Sequence, residues 1–259
     1  MADLKQIVKE LESIWALPAI QDASYNGLQV TAHRSIDRIY GGVDSTLDFF
    51  KQAPHPENSL FIVHHGLFWS GANPVITGPM FEKIAFLIQH QSALYASHLP
   101  LDSHPVFGNN IGLLRMLRLP VESLIPFGSE GEQTYGWKIN STEGWKLSEI
   151  YSRACQAINQ DSLLLNYGPE LIHSIAVMSG SGDHFFREAI EAGADLFITG
   201  EFDHPMYLQA RDYKKNVLML GHYESEKIGV QSVGEYLSKK LSLEFTFLDV
   251  SPIFKKNTN

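Results

Sequence analysis

With 259 residues the chain suffices for one large domain or two of ordinary size, and its 44% hydrophobic residues can build a real core. Twenty Lys and Arg stand against 29 Asp and Glu, a formal charge of −9. That balance argues against a general grip on nucleic acid, which needs a clustered basic surface, and the tail pair Lys255 and Lys256 is too short to be one. The single cysteine, Cys155, excludes an internal disulfide framework and a cysteine-rich zinc site; its place in a helical pattern predicts a small core residue.

The N-terminal stretch MADLKQIVKELESIW sets Leu4, Ile7, Val8, Leu11 and Ile14 at helical spacing, interrupted by charges, and so predicts an amphipathic helix and not a signal peptide. No apolar run approaches the roughly 20 residues of a membrane span. A cytoplasmic protein with no membrane partner is the expectation.

Further along, the chain reads as if written twice. RIYGGVDSTLDFFKQAPHPENSLFIVHHG, from Arg38, parallels SIAVMSGSGDHFFREAIEAGADLFITGEF, from Ser174. Each holds an apolar strand, a turn of small residues, a helix with two aromatics (Phe49 and Phe50; Phe185 and Phe186) and a second apolar strand. Downstream, SALYASHLPLD places Asp102 four residues after His98, and NVLMLGHYESE places Glu226 four residues after His222. Apolar helical patterns follow both: Ile111, Leu114 and Leu117 in one, Val230, Val233, Leu237 and Leu241 in the other. Upstream, a helix and then YNGLQV matches LSEIYSRACQAI and then SLLLNYG. Strands alternating with helices imply an α/β fold, with mixed or parallel sheets covered by helices. The expected lobes are residues 1–126 and 127–259, joined by the turn-rich FGSEGEQTYG.

Reactive residues gather where the apolar runs stop, beyond the carboxyl ends of strands, where open α/β sheets bind ligands. His64 and His65 close one strand, His98 and Asp102 follow another, Glu201 closes a third, and His222 with Glu226 follows a fourth. Imidazoles with carboxylates and no thiolate suit a divalent zinc, iron, manganese or nickel ion. His222 and Glu226, at i and i+4, share a helical face. Asp102, just past Pro100, sits at a predicted helix entrance, where a carboxylate is favoured in its own right. Five candidate ligands (His64, His65, Asp102, His222 and Glu226) are generous for one catalytic metal and suit a bridged pair.

That pair also accounts for the adjacent histidines of FIVHHGLFWSG. Neighbours on a regular strand point to opposite faces, so both can serve one centre only where Gly66 ends the strand. His98 reads equally as a ligand or as a hydrogen-bond partner that orients one. His55, His90, His173 and His184 lack a partner pattern and read as structural or surface residues. GGVDST around Asp44 and MSGSGD around Asp183 read as turns before helices, and there is no P-loop, G-x-S-x-G elbow or complete G-x-G-x-x-G fingerprint.

Together YNGLQV, FIVHHGLFW, YASHLPLD, ITGEFDH and GHYESE resemble, in order and over nearly the whole chain, the dinuclear-metal-centre proteins of the GTP cyclohydrolase I type 2 group, also called Nif-three-like. The resemblance implies two intertwined α/β lobes with the metal site at their junction, a toroidal homohexamer, and two divalent ions per subunit. By motif, His64 and His65 match the paired histidines of that site, Asp102 the acidic residue after HLPL, and His222 and Glu226 the closing His-x-x-x-Glu. His98 matches a histidine placed close to the metals. Longer relatives carry a domain inserted between the halves, for which the connection here leaves no room. Family members often have an acidic residue and a further variable residue around YNGLQV, where this chain departs slightly.

The resulting expectation is a metal-dependent hydrolase that attacks its substrate with a metal-activated water. His98 is the candidate proton shuttle and Glu201 the second candidate for proton transfer. The resemblance makes a purine nucleotide such as GTP the first substrate to try. The rival expectation is a non-catalytic metal-loaded ring that binds protein partners or handles metal.

Overall fold

The computed structural model describes residues 1–15, 20–32, 35–131, 133–158 and 162–251; Lys255 and Lys256 lie outside them. The first part of the chain forms α1 (Leu4–Ile14), β1 (Gly27–Val30), β2 (Arg38–Asp44), α2 (Leu47–Lys51), β3 (Ser59–His65), α3 (Gly78–Gln89), β4 (Ala93–Ala96), α4 (Leu99–Ser103) and α5 (Asn109–Met116). After these come β5 (Ile125–Glu130), β6 (Gln133–Lys146), α6 (Leu147–Ala157), β7 (Leu163–Leu165), β8 (Leu171–Met178) and a 3-10 turn (Asp183–Phe185). The last elements are α7 (Phe186–Glu191), β9 (Leu196–Thr199), α8 (His204–Asp212), β10 (Asn216–Met219), α9 (His222–Leu241) and β11 (Glu244–Phe247). Among the described residues no helix is long and apolar enough to cross a membrane.

The chain divides into two compact units. One comprises residues 1–15, 21–98 and 233–251, the other residue 20 and residues 99–232. Among the described residues the units change over at 20/21, 98/99 and 232/233. Within FGSEGEQTYG, Phe127, Ser129 and Glu130 of β5 stand antiparallel to Gly136, Thr134 and Gln133 of β6.

The first unit holds the sheet β1-β4-β3-β2-β11. Strands β2, β3, β4 and β11 run parallel, and β1 closes the edge antiparallel to β4. Residues Ser59–His64 of β3 and all of β4 are buried, which is why they read as unbroken apolar runs and not as alternation. Phe49 and Phe50 of α2 meet Phe61 of β3 edge-on, with ring centroids 5.5 and 5.1 Å apart. Helix α1 buries Leu4, Ile7 and Leu11, one stripe at helical spacing. Asp3 caps it by accepting the Lys5 N–H at 2.9 Å, worth about 1 kcal/mol.

The second unit holds the sheet β5-β6-β8-β9-β10-β7. Its β8, β9 and β10 are parallel, and β7 lies antiparallel on β10. The order β7-β10-β9-β8 thus repeats β1-β4-β3-β2 with the same strand directions, so the internal similarity of the sequence is a similarity of topology. The last partner differs: β11 is parallel to β2, whereas β6 is antiparallel to β8.

Cys155, expected as a small core residue, is exposed on α6. The buried stripe of that helix is Leu147, Ile150 and Ala154, and the residue after Ala154 is turned about 100° away from it.

Candidate metal centre

Three of the histidines come together in the first unit. His64 and His65 end β3, and His98 lies two residues beyond β4, the neighbouring parallel strand. A ring nitrogen from each lies within 4.8 Å of those of the other two. The ring centroids are 4.7 Å apart for His64 and His65, 5.0 Å for His64 and His98, and 5.6 Å for His65 and His98. The two neighbouring histidines therefore do converge, at the point where the strand stops. Gly66 is required there by close approach: a Cβ on it would lie 2.3 Å from Gln29 Nε2 and 2.7 Å from the Ala96 methyl.

Each of these rings donates its Nδ1 proton to an oxygen. His64 donates to the Ser97 carbonyl at 2.9 Å, His65 to Asp44 Oδ1 at 2.8 Å, and His98 to Asp22 Oδ1 at 2.8 Å. Since a carbonyl and carboxylates can only accept, Nδ1 carries the proton in all three and Nε2 is the basic nitrogen. This is the arrangement that orients imidazoles as metal ligands. Burial acts to raise the Asp22 carboxyl, but the hydrogen bond and charge of His98, with help from Asn26 and Ser24, outweigh it and hold the group at about 2. Asn26 Oδ1 also accepts the His98 backbone N–H at 2.7 Å, fixing the start of the loop after β4.

In the second unit the carboxylates dominate. His222 opens α9, and its Nε2 lies 3.2 Å from Glu226 Oε2, as the i, i+4 spacing requires. Its Nδ1 lies 3.1 Å from Glu201 Oε2, which also accepts the Ser181 hydroxyl at 2.9 Å. Burial disfavours the charged imidazole, yet Glu226 and then Glu201, by hydrogen bond and charge, lift His222 to about 9. Gly180 makes room for this contact. Its φ is +59°, and a Cβ there would sit 2.2 Å from Glu226 Oε1.

Asp102 is buried in the first turn of α4, the helix entrance expected from the sequence. Its Oδ1 accepts from Asn109 Nδ2 at 2.8 Å and from the Ser179 hydroxyl at 2.7 Å. Asn109 in turn accepts the Gly229 N–H of α9 at 2.8 Å, and Asn110 Oδ1 accepts the Ser179 N–H at 2.6 Å. Two donors on one oxygen hold this buried carboxylate in place.

The repeat is offset at these positions. Ladder register sets Val63 opposite Ala96 and Thr199 opposite Met219, so His98 corresponds to Gly221, one residue before His222. The shared four-residue spacing to an acid is therefore not a shared location, because Asp102 falls at the place of Ser225. Asp22, Asp44, Ser179, Ser181 and the pair Asn109 and Asn110 were not identified from sequence as parts of these clusters. GGVDST and MSGSGD, read as plain turns, in fact supply Asp44, Ser179 and Ser181. Of these, Asp44 had a usable signal, since parallel pairing of β2 with β3 puts it opposite His65.

The Duf34/NIF3 (NGG1p interacting factor 3) family model matches residues 2–253. A protein of Archaeoglobus fulgidus named GTP cyclohydrolase 1 type 2 homolog is 36% identical over 248 residues, 96% of this chain and 98% of that protein. One of the same name from Deinococcus radiodurans is 34% identical, covering 94% and 92%. Among solved structures, TTHA1606 from Thermus thermophilus superposes with a TM-score of 0.82 at 31% identity, covering 97% and 99% of the two chains. The protein ybgI, described as of unknown function, gives 0.85 at 29% identity, covering 95% and 98%. The order of motifs, the mixed α/β sheets and these matches agree, and the chain belongs to the Duf34/NIF3 family.

Proposed function

We propose that His64, His65, Asp102, His222 and Glu226 bind two divalent metal ions, of zinc, iron, manganese or nickel, and that the protein is a hydrolase of a purine nucleotide such as GTP. The observation that carries the metal reading is the common setting of His64, His65 and His98, each with Nδ1 tied to an oxygen and Nε2 basic. The name shared by the relatives, GTP cyclohydrolase 1 type 2 homolog, supports a nucleotide as the first substrate to test. Bound divalent ions supply Lewis acidity and lower the pKa of water. The chain itself supplies orientation and proton transfer. Asp44 and the Ser97 carbonyl fix the tautomers of His65 and His64, and Asn109 and Ser179 fix Asp102. His98, aligned by Asp22, is the proton shuttle, and Glu201, whose side chain is 56% exposed, exchanges protons with solvent.

Metal analysis of the purified protein, followed by a nucleotide and phosphoester screen with manganese, iron or zinc, tests this reading. Two ions per chain, with turnover lost in His65→Ala and Glu226→Ala, is the expected result. Turnover that persists equally in both variants removes the hydrolase mechanism; full metal content with no turnover of any nucleotide leaves the non-catalytic ring. His98→Gln is expected to keep its metal and lose turnover, whereas loss of metal would make His98 a ligand. The same reading assigns a cytoplasmic homohexamer, and a light-scattering mass near the 29.1 kDa of one chain overturns the assembly.

A further inference from the structure

We infer that a cleft beside the histidine cluster of the first unit is the seat for a planar, uncharged heteroaromatic ring, a nucleobase by chemical class; the identification of that ring with part of a substrate rests on the function proposed above. The cleft measures about 660 Å³, within the size range of small-molecule sites. Tyr25, Phe68 and Trp69 line it, together with the amides of Asn26, Gln29 and Asn73. No Asp, Glu, Lys, Arg or His is among its lining residues, so it offers nothing to neutralise a phosphate. It offers aromatic side chains, which suit a stacked base, while the Asn26 amide is committed to Asp22, the Ser24 carbonyl and the His98 N–H, and those of Gln29 and Asn73 are engaged in part by backbone groups.

Two features make this a built platform. Trp69 is pinned: its indole N–H donates to the Gly66 carbonyl at 3.0 Å, and its backbone forms an antiparallel bridge with Ser24. The flanking bonds, Tyr25 N–H to the Phe68 carbonyl at 3.0 Å and Ser70 N–H to the Ala23 carbonyl at 2.7 Å, clamp the two walls together. The same indole meets the histidines, edge-on to the His98 ring at 5.0 Å and tilted against that of His65 at 6.0 Å. One rigid side chain is thus a wall of the cleft and a neighbour of the cluster, and Tyr25, 60% exposed, stands on the cleft without a role in the core. A base held there leaves the sugar and phosphates to extend toward other groups.

Binding of guanosine and of ribose 5-phosphate, followed by calorimetry and tryptophan fluorescence, tests this on the full-length protein before and after chelation. Guanosine is expected to bind and quench fluorescence in both states, ribose 5-phosphate not to bind after chelation, and Tyr25→Ala to weaken guanosine about tenfold. Trp69→Leu is expected to lose the quenching. Absence of guanosine binding to the chelated wild type, or equal affinity in Tyr25→Ala, overturns the inference. Because this readout needs neither metal nor turnover, its failure is distinct from failure of the hydrolase reading.

Discussion

Asp44 Oδ1 accepts the Nδ1 proton of His65 at 2.8 Å, across a parallel strand pair that sets the two residues opposite each other. A carboxylate in that position fixes the ring and its tautomer, and removal of such partners costs roughly 10–100-fold in metal affinity. Asp44→Ala is therefore expected to weaken metal binding within that range, and Asp44→Asn, which keeps an acceptor oxygen, by less. Competition against a chromogenic chelator measures both. The Asp44 side chain is 40% exposed, so thermal stability of the metal-free protein should change little; equal metal affinity in Asp44→Ala and the parent would remove Asp44 from the site.

Gly180 offers a sharper test of the second cluster. At φ +59° an alanine is strained by about 1 kcal/mol or more, and its Cβ would occupy space 2.2 Å from Glu226 Oε1. Gly193, at φ +77° with nothing within 4 Å, isolates the strain alone. Both alanine variants should lose stability in urea titrations, but only Gly180→Ala should also lose bound metal. Metal content retained in both would show that Glu226 moves aside without consequence for binding.

The parts of this architecture legible in the sequence are those carried by local pattern. Unbroken apolar runs such as LFIVHH and NVLML mark strands covered on both faces, and the groups at their ends mark the two clusters. Ligand partners were not legible in the same way. Asp22 and His98 are 76 positions apart, and Ser179 and Asp102 are 77, so neither pair leaves a spacing to read. The offset between His98 and His222 was hidden for a related reason. Equal intervals of four residues look like equivalence, and only ladder register reveals that one histidine precedes its helix while the other begins it.

Metal uptake should release protons. In the metal-free protein His222 is lifted from 6.5 to about 9, so it is charged at neutral pH, yet a metal ligand must be neutral imidazole. Apparent affinity is then expected to rise with pH up to about 9 and to flatten above it. The sign for stability runs the other way: a raised folded pKa stabilises the metal-free protein fully below about 6.5, and this is lost as pH climbs through about 9. Calorimetric titration of zinc at about pH 7.5, in two buffers of different ionisation enthalpy, measures the protons released. Glu226→Gln, which removes the carboxylate that holds the proton, should reduce the number; no buffer dependence in the parent would contradict the charged state of His222.

Stability away from the clusters has its own pH signature in the first unit, where Glu10 of α1 accepts from the Tyr236 hydroxyl at 2.6 Å and from Lys240 Nζ at 2.5 Å. The hydrogen bonds from Lys240 and Tyr236 hold the Glu10 carboxyl below its usual 4.5. A carboxyl depressed by folding stabilises above its unfolded pKa, and that contribution disappears as pH falls through the lower folded value. Tyr236→Phe deletes one donor and is expected to cost about 1 kcal/mol at neutral pH. In acid, as Glu10 gains its proton, the parent loses the charge-assisted part of that bond and the gap between parent and variant should narrow. Urea denaturation of both proteins from about pH 7 to about pH 3 decides the matter, since a gap that stays constant over that range would show that the Tyr236 hydroxyl stabilises the fold without reference to the charge on Glu10.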